Sequence, residues 1–164
     1  MPIRNTLCRH AARPQPLLAA LLTGALLAAS GLQAAPGGGE ASRFHDDARS
    51  RLARNDAAGA IVQAQNALQK EPGLLAAQVL LGQALLKDGQ AAAAEAQFEK
   101  ALQKGARLED VALSYGQALM MFGNSEKLLQ RIPADGLSPK LRAEVLAMRA
   151  TAHADVGDMP AAFR

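Results

Sequence analysis

Apolar side chains recur every three or four residues along most of this chain. From residue 41 onward they fall on one face of a helix with about 3.6 residues per turn. Alanine, leucine, glutamine, lysine and glutamate dominate this part of the chain, and all five are good helix formers. Residues that favour strands are few, with four Phe, one Tyr and no Trp in the whole sequence. The pattern therefore predicts an all-α protein.

Glycine, asparagine and proline divide the helical pattern into separate helices. Asn55 and Gly89 are placed where a helix ends, because both residues adopt the left-handed backbone conformation readily. Pro133 cannot continue a helix, since it has no backbone N–H. Ser138 followed by Pro139 is typical of a helix start. The predicted helices cover residues 41–54, 57–70, 74–87, 91–104, 108–121, 125–132, 139–155 and 159 onward.

Small residues return at a spacing of 34 positions in three columns. The first column follows the first helix of each pair, where the turn needs a residue with positive φ. The other two lie where the helices of a pair cross, and small side chains there let the axes approach to about 8 Å. Leu128 departs from its column, and we interpret its unit, whose second helix is also short, as degenerate. The columns are Asn55, Gly89, Gly123 and Gly157; Ala60, Ala94, Leu128 and Ala162; Ala48, Gly82, Gly116 and Ala150.

One pair of helices cannot bury its apolar face alone, so neighbouring pairs must stack. The spacing predicts an α-solenoid of antiparallel helix pairs with about 3.5 repeats. The last unit is incomplete, and we expect the chain to be part of a longer repeat protein. An alanine-rich helical bundle with accidental periodicity is the alternative. The predicted array covers residues 41–164, with units at about 41–74, 75–108, 109–142 and 143–164.

The N-terminus has the order of a secretory signal. Arg4, Arg9 and Arg13 precede an apolar run at residues 17–32, and small residues follow it. The run of 16 residues is shorter than the roughly 20 residues that span a bilayer as a helix. We expect cleavage near Ala34 and export to the periplasm or cell envelope. An uncleaved segment that anchors the protein to the membrane is the alternative.

The charge balance changes once the predicted signal peptide, residues 1–34, is set aside. The formal net charge of +3 comes from the three arginines of that segment, and 15 basic and 15 acidic residues remain. Nucleic-acid-binding proteins need a basic patch, so we predict no nucleic-acid partner. Cys8, the only cysteine, precedes the apolar run, so the mature chain has no disulfide. Residues 35–40, APGGGE, are predicted to be a flexible spacer.

Two groups of His and Asp residues are the candidates for a metal site. His45, Asp46 and Asp47 are consecutive, and on a helix they point in directions about 100° apart. His153 and Asp158 are five residues apart across a helix end, without a second histidine nearby. The sequence also lacks a Ser–His–Asp or Cys–His arrangement. We therefore predict no metal, no cofactor and no catalytic residue.

The segment LGQALLKDGQAAAAEAQFEKAL at residues 81–102 resembles a tetratricopeptide repeat (TPR). Gly82, Gly89, Ala94 and Phe98 stand at that family's positions. The resemblance implies a TPR superhelix whose inner helices line a concave groove, and this groove binds a protein or peptide. By that resemblance the groove is lined by His45, Arg49, Gln83, Lys87, Gln117, Met120 and Thr151.

A narrower resemblance concerns residues 58–106, which look like the start of the TPR lipoproteins of PEP-CTERM systems. Those are exported bacterial proteins linked to exopolysaccharide and protein-sorting loci, and members usually carry a lipid-anchor cysteine that this chain lacks. The resemblance implies an exported scaffold for protein–protein interaction in the bacterial envelope, in exopolysaccharide export or protein sorting. One alternative is the N-terminal module of a larger enzyme, such as a transferase, with its catalytic part beyond Arg164. Self-association is another.

Overall fold

The computed structural model describes residues 38–162, which form eight α-helices. No strand occurs among these residues, so the predicted all-α class is confirmed for them. The helices begin and end within one residue of the predicted positions, except at the start of the first helix. They are α1 (Gly38–Ala53), α2 (Ala57–Lys70), α3 (Leu75–Lys87), α4 (Ala91–Gln103), α5 (Leu108–Met121), α6 (Ser125–Arg131), α7 (Pro139–Asp155) and α8 (Met159–Ala162).

Helix α1 begins at Gly38, three residues before the predicted start, and includes half of the predicted spacer. Glu40 lies in its first turn, where the positive end of the helix dipole favours an acidic side chain. A carboxylate oxygen of Glu40 is 2.8 Å from Nζ of Lys70 on α2. The hydrogen bond and charge of Lys70 lower the pKa of Glu40. This ion pair joins the first turn of α1 to the end of α2.

The predicted signal peptide, residues 1–34, lies outside the described residues, as does the first part of the spacer. Its cleavage near Ala34 and its alternative role as a membrane anchor therefore stay predictions. Among residues 38–162, no helix is both long enough and apolar enough to cross a membrane.

The turns that end α1, α3, α5 and α7 contain the column of residues for which a positive φ was predicted. Each such residue has a left-handed backbone conformation, which glycine adopts without steric cost and asparagine tolerates better than most residues. The role assigned to this column is therefore confirmed. The φ angles are 66° at Asn55, 81° at Gly89, 77° at Gly123 and 81° at Gly157.

The odd-numbered helices form one layer and the even-numbered helices lie against it. Helix α1 contacts α3, α3 contacts α5, and α5 contacts α7. Helices α2, α4 and α6 each pack against the odd-numbered helices before and after them, and α4 and α6 meet only through long side chains, where Lys127 pairs with Glu99. The faces of α1, α3 and α5 that are not covered by the second layer therefore share one surface.

The crossing of α3 and α4 is filled by an aromatic ring. A Cβ atom placed on Gly82 would lie 2.6 Å from Cε1 of Phe98, so a larger residue at position 82 would displace the ring. Phe98 and Ala94 are fully buried. The Phe98 ring also packs against Tyr115 of α5, with ring centroids 6.0 Å apart. This ring therefore joins two successive pairs of helices.

The crossing of α5 and α6 has a different composition. Helix α6 has seven residues, as short as predicted. Leu128 and Ile132 are both fully buried, and they stand 34 residues after Ala94 and Phe98. A larger side chain at position 128 is thus accompanied by a smaller one at position 132. Leu128 is buried in the hydrophobic core, so its departure from the small column is accommodated by packing. The interpretation of its unit as degenerate stays an interpretation.

Candidate partner-binding groove

A groove of about 670 Å³ lies between α1, α3 and the N-terminal end of α5. Its volume is in the range of about 300–1,000 Å³ that is typical of ligand clefts. We call it the α1–α3 groove, and most of its wall is aliphatic. The aliphatic lining residues are Leu52, Ala53, Leu75, Ala76, Val79, Leu80 and Ala106.

Helical spacing explains why these side chains share one surface. On α1 the lining residues fall at positions 45, 49, 52 and 53, and on α3 at positions 75, 76, 79, 80 and 83. Residues three, four or seven apart lie on the same face of a helix. Since α1 and α3 are neighbours in one layer, the two faces meet and form a continuous floor.

The aliphatic floor is only partly covered by the protein itself. Leu52 and Val79 pack against the edge of the buried core but remain half-buried, and Ala53 and Ala76 are exposed. Burying such surface contributes about 25 cal/mol for each Å² removed from water. The groove is therefore a place where an apolar partner surface gains binding free energy.

Five polar or charged residues rim the groove, and two of them are paired with each other. Nε of Arg107 donates to Oδ2 of Asp110 at 3.1 Å, and Nη2 donates to Oδ1 at 2.9 Å. The hydrogen bond from Arg107 lowers the pKa of Asp110, so its carboxylate stays ionised and offsets the guanidinium charge. The other three rim residues are His45, Arg49 and Gln83.

Arg49 is the charged rim residue without a partner. It is exposed, and it forms no hydrogen bond or ion pair with another residue of the range 38–162. His45 is nearly buried, with Nδ1 3.3 Å from Oδ1 of Asp46. Gln83 is half-buried. The groove thus combines an aliphatic floor with a single uncompensated positive charge at its rim.

Three of the seven residues predicted to line a groove do line this one: His45, Arg49 and Gln83. Lys87 lies at the end of α3, and its Nζ donates to the backbone oxygen of Leu52 at 3.3 Å. It is next to the groove but does not line it.

The other three predicted residues lie on later helices. Gln117 is exposed on α5, and Met120 of the same helix is half-buried against the core. Thr151 is exposed on α7, where its hydroxyl donates to the backbone oxygen of Ala147 at 3.3 Å. These three are not brought together with His45, Arg49 and Gln83.

Sequence reasoning missed the aliphatic floor and the Arg107–Asp110 pair. The spacing of Leu52 from Arg49, and of Val79 from Gln83, carried a signal for the floor, because these residues lie on one helical face. No comparable pattern in the sequence indicated that Arg107 and Asp110 lie at the groove. Their place at the rim depends on how α5 packs beside α3.

The two groups of His and Asp residues do not form a metal site. Oδ2 of Asp47 accepts a hydrogen bond from Nε of Arg51 at 2.9 Å, whereas Oδ1 of Asp46 lies beside Nδ1 of His45. The two carboxylates therefore have different partners. His153 Nδ1 lies 3.4 Å from Oδ2 of Asp158. Across residues 38–162, no group of three or more His, Cys, Asp or Glu side chains could hold a metal ion.

A second cluster of charges joins α4, α5 and α6 outside the groove. Nζ of Lys127 is 2.9 Å from Oε1 of Glu99 and also hydrogen bonds to Glu95. The hydroxyl of Tyr115 donates to Oε1 of Glu99 at 3.1 Å. Burial, together with the charge of Glu99, raises the pKa of Tyr115 to about 12. The phenol therefore stays neutral, and the cluster acts as a structural tie.

No protein-family model matches this chain, and no curated protein matches it either.

Proposed function

We propose that this protein is an exported α-solenoid of the TPR type that binds a protein partner in its α1–α3 groove. The observation that carries the proposal is the open aliphatic floor between α1 and α3, rimmed by five polar or charged residues. Grooves of this composition bind protein segments through apolar anchors, with polar rim residues adding specificity.

The repeat type has its own support. Successive odd-numbered helices pack on one another, and each of α2, α4 and α6 packs on the odd-numbered helices before and after it, which is the arrangement expected of stacked helix pairs. The positive-φ residues that end α1, α3, α5 and α7 recur every 34 positions, the length of a TPR unit.

The place of action follows from the N-terminal sequence. A basic stretch, an apolar run and small residues are the order of a secretory signal. We therefore place the scaffold in the periplasm or cell envelope of a bacterium, and its resemblance to PEP-CTERM lipoproteins associates it with exopolysaccharide export or protein sorting. Fractionation of cells expressing the full chain should recover it in the envelope.

Site-specific photo-crosslinking in those cells tests the binding function. A benzophenone amino acid at Ala76, an exposed position in the groove, should crosslink one partner that mass spectrometry identifies repeatedly. The matched control is Val62 on α2, which is 53 % exposed and lies outside the groove. The same products from both positions, or no product from Ala76, would contradict the proposal.

A further inference from the structure

The side-chain donors and acceptors that line the α1–α3 groove restrict the conformation of a segment bound there. Arg107 and Asp110 bond to each other, and His45 Nδ1 lies beside Asp46. Gln83 is the lining residue left with both an amide donor and a carbonyl acceptor to offer. Arg49 can donate but cannot accept. The side chains of the groove therefore offer few partners for a peptide backbone.

An extended segment would be poorly satisfied on such a surface. Each of its residues brings one N–H and one C=O to the interface, and groups that lose water without gaining a partner weaken binding. The side chains of Leu52, Leu75 and Val79, which form the aliphatic floor, can neither donate nor accept a hydrogen bond.

A helical segment avoids this penalty, because its backbone groups bond to one another. It can place apolar side chains at positions i, i+3 or i+4, and i+7 on the floor, as in other helix-in-groove complexes. The rim then selects by charge. Since Arg49 is exposed and unpaired within residues 38–162, it favours an acidic residue beside the apolar stripe.

We propose that the occupant of the α1–α3 groove is an amphipathic α-helix of a partner protein, with an acidic residue that pairs with Arg49. This inference rests on the proposed function, since it assumes that the groove binds protein at all. It adds the conformation of the bound segment and the sign of its charge.

Selection from two displayed peptide libraries against the full chain tests this. One library holds stapled amphipathic helices with apolar residues at i, i+3, i+4 and i+7. The other holds linear peptides with proline at every third position, which cannot form helices. Binders should come from the helical library, with Glu or Asp enriched at one flanking position. Their affinity should fall at least about tenfold for Ala76→Gln, and by about the same factor for Arg49→Glu.

Three comparisons complete the test. Val62→Gln, on α2, should leave the affinity within about twofold, as expected for a residue outside the contact. Replacing the selected acidic residue by lysine should restore binding to Arg49→Glu. Circular dichroism of each variant should match the wild type, since the substituted positions are exposed.

The contrary outcomes separate the two proposals. Proline-containing binders that are weakened by Ala76→Gln would overturn the helical occupant and leave the binding groove in place. Helical binders that are unaffected by Arg49→Glu would overturn the acidic partner of Arg49. Binders from neither library, or only binders that ignore Ala76→Gln, would count against the groove itself.

Discussion

The crossing of α3 and α4 is filled by one aromatic ring, whereas the crossing of α5 and α6 has two aliphatic side chains at the same positions of the 34-residue unit. In the first, Phe98 lies against Gly82, and Ala94 is fully buried. In the second, Leu128 and Ile132 are fully buried. Volume removed at one position is replaced at another, as close packing of protein interiors requires. The feature that repeats along this chain is therefore a helix crossing whose volume is filled by side chains. A small residue opposite a large ring is one of two combinations that fill it.

Removing the larger side chain of the second crossing should have the largest effect. Leu128→Ala leaves a cavity in a fully buried site and should lower the free energy of unfolding by about 2–5 kcal/mol. Leu146→Ala on α7, at a position that is 47 % exposed, is the control and should change it by about 0.5 kcal/mol or less. Urea unfolding of both variants measures this, and equal losses would contradict the role given to Leu128.

Exchanging one crossing for the other tests the compensation directly. Ala94→Leu alone overpacks a fully buried position and should cost about 1–3 kcal/mol. Adding Phe98→Ile, which reproduces the aliphatic pair of α6, should recover part of that loss. The two substitutions should therefore be coupled by about 0.5–3 kcal/mol in a double-mutant cycle. Additive losses would show that the two positions do not share one volume.

The charge cluster between α4 and α6 should give a pH-dependent effect. Lys127, mainly through its hydrogen bond, lowers the pKa of Glu99 below the usual value of 4.5. A carboxylate whose pKa is lowered on folding stabilises the fold at pH values above its usual pKa. This stabilisation is lost as the pH falls through the lowered pKa. Because Lys127 is 34 % exposed and screened by water, Lys127→Met should cost about 1 kcal/mol at neutral pH.

The control for this prediction is the same pair of proteins in acid. Urea unfolding at about pH 3 should show a smaller difference between wild type and Lys127→Met than at about pH 7. A difference that does not depend on pH would mean that Lys127 contributes through packing alone.

The two central glycines should respond differently to the same substitution. Alanine gains about 1 kcal/mol over glycine in a helix interior. At Gly82 the new Cβ would meet the Phe98 ring at 2.6 Å, whereas at Gly116 it would meet the terminal Cε of Met148 at 2.9 Å. A methionine end moves easily and a buried ring does not. The melting temperature of the Gly82→Ala variant should therefore be several degrees lower than that of the Gly116→Ala variant. The reverse order of melting temperatures would contradict this explanation.

Most of the helix boundaries could be predicted because single residues decide them. Asn55 and Gly89 adopt positive φ, and Pro139 begins α7. Such local signals do not depend on the rest of the fold. The start of α1 was predicted three residues too late. The first turn of α1 carries the ion pair of Glu40 with Lys70 on α2, a contact between two helices that a local pattern does not contain.

The groove was predictable only on the helices that form its floor. His45 and Gln83 are on α1 and α3 and line it. Gln117 and Thr151 occupy similar places on α5 and α7 but lie elsewhere. How successive helices pack decides which of these positions meet. The spacing of small residues placed Gly82 at a helix crossing, but it did not show that the Phe98 ring fills that crossing.

The most direct test of the partner-binding groove is a methyl NMR titration of the full chain with the partner recovered by crosslinking at Ala76. The methyl signals of Leu52, Leu75 and Val79, which line the groove, should shift on binding. Those of Leu128 and Val145, which are fully buried near α6 and α7, should stay in place. Shifts confined to the second group, with none in the first, would contradict the account.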